Sequence, residues 1–159
     1  KLAEMLNISF YEAKEMWENW WAAHPSLERL KNAIEGALEK RGFLNNGRLK
    51  HGAFIKGMDG RKIFIRSPHS ALNARIQNAG SIVHKMVCIF IRQGIEDNWL
   101  DAQIVGNFHD ETQSEVAERD IEIYKRVVAE AEQKVNDFFN FKIPMKLEPE
   151  VGNTWKETH

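Results

Sequence analysis

The chain has 159 residues, 43% hydrophobic and 28% charged, with a formal net charge of −1. That is the composition of an ordinary globular protein long enough for one real core, and the near-neutral total leaves no chain-wide electrostatic footprint for nucleic acid. A lone cysteine, Cys88, excludes an internal disulfide and points to a reducing compartment, and no apolar run is long enough to span a bilayer.

Lys1-Leu2-Ala3-Glu4 leads straight into an amphipathic pattern, without Met and without a signal peptide, which predicts a piece of a longer polypeptide. Ser9 and Glu12 fit a capping box opening a helix with Ala13, Met16, Trp17, Trp20 and Trp21 at helical spacing. The tryptophans read as core or interface. His24-Pro25 stops that helix. Ser26 can cap the next, which aligns Leu27, Leu30, Ile34 and Leu38 and ends at Gly42.

From Phe43 to Arg66 the texture changes. Asn45-Asn46-Gly47 and Asp59-Gly60 are turn signals, and Ala53–Ile55 with Lys62–Ile65 predict a hairpin around the second. Lys50, Lys56, Arg61, Lys62 and Arg66 gather about it. Ser67-Pro68 predicts the start of a long helix running to about Gln93 and stopping at Gly94. Asp101 to Phe108 reads as a strand, His109-Asp110-Glu111 as a tight turn, and Thr112 to Val116 as the returning strand. A second long helix follows over about Glu118–Phe138, and Phe141 to Trp155 reads as a strand and tail. The order predicts an α+β fold with a small antiparallel sheet and a hairpin packed against long helices. There is no glycine-rich phosphate loop.

Two constellations could carry chemistry. A carboxylate held at the tip of His109-Asp110-Glu111 suits Mg²⁺, which takes oxygen donors and only one or two from protein. Adjacent carboxylates there point to opposite sides of the ribbon, so at most one faces a given cleft. A solvated acidic turn is the commoner identity of such a tripeptide. The second constellation is His69, Asn73 and Gln77, four residues apart on one helix face, with Gly80 continuing it. On pattern alone this is a solvated face. Its amides could also probe the minor groove, where purine N3 and pyrimidine O2 acceptors occupy nearly equivalent places in every base pair. Gly80 would let a nucleic-acid backbone approach. Cys88 reads as a buried structural thiol, and the six histidines have no zinc spacing.

Taken together, Gly57-Met58-Asp59-Gly60-Arg61-Lys62, then Arg66-Ser67-Pro68-His69-Ser70-Ala71-Leu72-Asn73, Gln77-Asn78-Ala79-Gly80 and Phe108-His109-Asp110-Glu111 resemble the C-terminal region of family A DNA polymerases, in the bacteriophage replicase branch related to bacterial DNA polymerase I. Gly152, Trp155 and His159 resemble that family's ending, and Phe108 replaces its usual valine. The resemblance implies that residues 1–42 are a helical remnant of the fingers and 43–159 the C-terminal part of the palm. It implies that Asp110 ligates two catalytic Mg²⁺ ions, with Glu111 near the primer terminus and His109 beside them. Asn73 and Gln77 would contact the minor groove of primer–template DNA, with His69, Arg61 and Gly80 meeting or positioning its backbone.

The implied reaction is nucleotidyl transfer from a dNTP to a primer 3′-hydroxyl, in the cytoplasm, or a host's cytoplasm for a viral chain. The family's other metal-binding aspartate and its nucleotide-gripping fingers helix have no equivalent in this sequence, so an N-terminal polymerase region, in cis or as a separate chain, is an expected partner. Two other readings use the same residues. One is a non-catalytic primer–template-binding remnant. The other is a metal-dependent phosphodiesterase, which would need a second carboxylate cluster.

Overall fold

A computed structural model describes residues 1–42 and 52–158. Five helices, α1 (Leu2–Leu6), α2 (Phe10–Ala23), α3 (Pro25–Gly42), α4 (Ala71–Asp97) and α5 (Ile121–Phe139), accompany two hairpins. These are β1 (Phe54–Lys56) with β2 (Lys62–Phe64), and β3 (Ala102–Phe108) with β4 (Glu111–Val116). The expected α+β class is observed. The Asn45-Asn46-Gly47 turn and Lys50 lie outside the described residues.

The chain divides into two compact units, Lys1–Gln77 and Asn78–His159, with the division falling inside α4. In the first unit, α2 begins as its sequence dictates. The Ser9 hydroxyl accepts from the Glu12 amide and the Glu12 carboxylate accepts from the Ser9 amide, so two otherwise unpaired donors are satisfied. Pro25, not Ser26, opens α3, because proline's fixed φ suits a first helical turn. Ile34 and Leu38 then meet Ile55, Ile65 and Ala71 in a small core, with Leu30 partly buried against it. Trp17 and Trp20 stand 54% and 45% exposed, so the tryptophan face is not core within this unit.

The second unit is built on α4 and α5. Val87, Ile91 and Ile95 recur at helical spacing on α4 and pack with Val127, Val128, Ala131 and Val135 of α5. Each such burial of a valine or isoleucine is worth about 1.5–3 kcal/mol. The helix after Ser67-Pro68 opens as a 3-10 turn, Pro68–Ser70, and does not stop at Gly94. It runs to Asp97 and ends where Trp99 takes a left-handed φ of 52° and the Leu100 amide donates back to the Ile95 carbonyl. Gly94 serves packing instead, since a Cβ there would collide with Val127.

The expected strand after Phe141 is also absent; no strand is found there among the described residues. The Asn136 amide group takes the place of a neighbouring strand. It donates to the Met145 carbonyl at 2.9 Å and accepts from the Met145 amide at 2.7 Å. Glu132 accepts from the Leu147 amide at 2.6 Å, so the tail is tied along α5 by side chains.

Candidate active site

The second hairpin is antiparallel, with Phe108 opposite Glu111, so its loop is only His109 and Asp110. His109 takes φ = 56°, as two-residue hairpin loops require of their first position. Glu111 thus belongs to β4 rather than to the turn. One residue of β3, Val105, has no partner in the ladder, because Ile104 pairs with Ser114 and Gly106 already with Gln113. This bulge reverses the side-chain alternation beyond it.

Two distinct faces result. On one, Ile104 packs into the core, the Asn107 amide oxygen accepts from the Thr112 hydroxyl at 3.2 Å, and Thr112 lies 3.3 Å from His84 Nε2 on α4. The Cys88 thiol joins this group, donating to Asn107 at 3.2 Å. It is partly exposed and hydrogen-bonded, not the buried apolar thiol expected from its neighbours. The Tyr124 hydroxyl of α5 donates to Ser114 at 2.6 Å on the same face. Burial pushes the Tyr124 hydroxyl's pKa up, with the Ser114 bond pulling it back and Cys88 adding to the rise.

On the other face, Phe108, Glu111 and Gln113 gather under Trp155 from the tail. The Trp155 indole N–H donates to Glu111 Oε1 at 2.9 Å, and its ring lies 4.4 Å from that of Phe108. The Gln113 amide donates to the same carboxylate oxygen. Glu111 is accordingly half-buried and held, whereas Asp110 and His109 are exposed. Asp110 makes no hydrogen bond or ion pair among the described residues.

His109, Asp110 and Glu111 are therefore brought together at one tip, with the adjacent carboxylates in different environments. Asp110 fits a single, monodentate oxygen ligand for Mg²⁺, a cation that keeps waters and substrate oxygens in its remaining positions. Among the described residues no three His, Cys, Asp or Glu side chains cluster, so a two-ion site is not assembled from them.

The second set of predicted residues lies elsewhere in the chain. Asn73 and Gln77 are both exposed on α4 in the first unit, at the spacing that shares a face. Gly80, exposed in the second unit, has none of the described residues within 4 Å of the place a Cβ would take, so no packing among them demands glycine. His69 lies in the 3-10 turn before α4. Arg61 sits at the β1–β2 turn, where its amide donates to Asp59 Oδ1 at 3.1 Å and its guanidinium pairs with the same carboxyl. The side-chain hydrogen bond from Arg61 holds the Asp59 carboxyl below its ordinary range. Arg75 of α4 donates to the Lys56 carbonyl and ties the first hairpin to that helix, a role its sequence context did not signal. Gln113 and the indole contact of Trp155 were likewise missed, since a bond spanning 44 residues leaves no local pattern.

The fold is that of a polymerase domain. It matches the POL domain of Pol1 from M. smegmatis, described in complex with DNA primer-template and dNTP, with a TM-score of 0.80 and 22% identity over 99% of this chain and 28% of that one. The family model for DNA polymerase family A matches residues 1–157, and the chain belongs to that family. The DNA-directed DNA polymerase of Enterobacteria phage T3 is 30% identical and that of Escherichia phage T7 28% identical, each aligned over 100% of this chain and 24% of its own length. DNA polymerase I of Bacillus caldotenax is 27% identical over 97% of the chain and 17% of its length. The chain thus spans about a quarter of the phage relatives it matches. Among the described residues no helix is long and apolar enough to cross a membrane.

Proposed function

We propose that this chain is the C-terminal part of a family A DNA polymerase and takes part in template-directed DNA synthesis, transferring a nucleotide from dNTP to a primer 3′-hydroxyl. Residues 1–42 end the fingers, and residues 43–159 form the C-terminal part of the palm. The observation that carries this reading is the exposed Asp110 carboxylate, fixed in a two-residue hairpin loop within a chain matched end to end by the family.

The parts proposed for individual residues are these. Asp110, exposed and without a partner among the described residues, would hold Mg²⁺ as one oxygen ligand. When bound in pairs, such ions lower the pKa of the attacking hydroxyl and neutralise the leaving pyrophosphate. The remaining carboxylate ligands would come from an N-terminal polymerase region, in cis or as a separate chain. Glu111, half-buried beside it, lies near the primer terminus, and His109 flanks them. Asn73 and Gln77 offer amide donors to minor-groove acceptors that all base pairs share, so they sense pair geometry without reading sequence. Arg61, His69 and Gly80 lie against or near the DNA backbone.

Primer extension with Mg²⁺ and dNTPs tests the proposal. The chain is assayed alone and with the upstream polymerase region supplied as a second polypeptide. Activity in the mixture only, abolished by Asp110→Ala, is the expected result. Activity of the chain alone would overturn the need for outside ligands. Inactivity in both, with primer–template binding retained, would leave a DNA-binding remnant.

A further inference from the structure

We propose that Trp155 is a positioning residue that acts through Glu111, so that the tail of the chain sets the orientation of a carboxylate in the catalytic hairpin. The inference rests on the polymerase reading above. Three contacts carry it. The indole N–H reaches Glu111 Oε1 at 2.9 Å, a charge-assisted bond and thus among the stronger kinds. The same ring lies 4.4 Å from Phe108, the residue paired with Glu111 across the ladder, so the donor is aimed by a second contact on the same rung. Gln113, two residues along β4, donates to the same oxygen from the strand side.

Gly106, opposite Gln113, leaves room for the Phe108 ring, because a Cβ there would come within van der Waals distance of three ring atoms. Trp155 therefore reaches a carboxylate oxygen 44 positions away in sequence, where it meets Gln113. Asp110 next door has no such tie among the described residues. Of the two adjacent carboxylates, one is left exposed for an outside ligand and the other has its rotamer chosen by the tail. A hairpin strand end fixes backbone position but leaves a glutamate three side-chain torsions, and two donors converging on one oxygen remove that freedom.

The test uses Trp155→Phe, which keeps an aromatic ring on Phe108 and removes only the N–H. In the ¹⁵N-labelled chain, the indole N–H resonance assigned by its loss in Trp155→Phe is expected to shift in Glu111→Gln. In primer extension with the upstream polypeptide, Trp155→Phe is expected to lower kcat about tenfold with KM for dNTP and primer–template affinity unchanged. Combined with Glu111→Gln, it is expected to add less than about twofold to the loss from Glu111→Gln alone. An indole resonance indifferent to Glu111→Gln would overturn the proposal, as would fully multiplicative losses or an effect on KM alone. An inactive wild-type mixture with the indole shift intact would overturn the polymerase reading, and with it any role of Trp155 in synthesis, while the contact itself stood.

Discussion

At the scale of single residues, the side chains that matter most at the hairpin are those whose partners lie far away in sequence. Tyr124 is one. Its hydroxyl is sequestered against Ser114, and burial raises its pKa above the ordinary value of 10.0. A group whose folded value is raised contributes stability that is fully present below its unfolded value and lost as pH rises through the folded value. Urea unfolding between about pH 8 and pH 11 is therefore expected to show a decline that Tyr124→Phe reduces. Asp110 and Glu111 show what sequence can supply at this scale. Their family pattern identified the tip, and hairpin geometry predicted that the two would differ. Which one would be tied was not legible, because the tie comes from Trp155 and Gln113 rather than from any neighbour in the turn.

Among the elements, signals made by neighbouring residues were read more accurately than those that depend on a distant one. The capping box at Ser9 and Glu12 is local chemistry, and it appears as expected. Gly94 is the opposite case. A glycine after a long apolar stripe carries the same sequence signature whether it terminates a helix or admits a neighbour, and only the position of Val127 decides between them. Gly94→Ala gains about 1 kcal/mol of helix propensity but overpacks the α4–α5 contact, which typically costs about 1–3 kcal/mol. Net destabilisation is expected in denaturant unfolding. A second change, Val127→Ala, is expected to suppress it, giving a double mutant less destabilised than the sum of the singles. The tail was misread as a strand for a related reason. Its alternating texture is real, but Asn136 and Glu132 satisfy its backbone in place of a strand.

For the whole molecule, the pattern of turns and helices predicted an α+β chain, and that class is what folds. The division of the core was not visible in the sequence, because α4 contributes Ala71 to one cluster and Val87, Ile91 and Ile95 to the other without any break in its periodicity. Leu38 is fully buried in the first cluster, and Leu38→Ala is expected to cost about 2–5 kcal/mol there. Hydrogen exchange of the chain is expected to speed up within residues 1–77 and to stay unchanged at Val127–Val135. Uniform acceleration along the chain would show instead that both clusters unfold together.

The bulge at Val105 gives the hairpin a tolerance of length at one point along β3. Val105 is exposed and has no partner in the ladder, so its loss removes nothing from the core. A strand that is one residue shorter there would still pair Ile104 with Ser114 and Gly106 with Gln113, now in an uninterrupted ladder, and would leave Asn107 and Phe108 on the faces they already occupy. Along β3, deletion is thus a straightening rather than a rotation. Val105 is the surplus residue of the ladder, and with or without it Glu111 stands opposite a ring that Trp155 can cover.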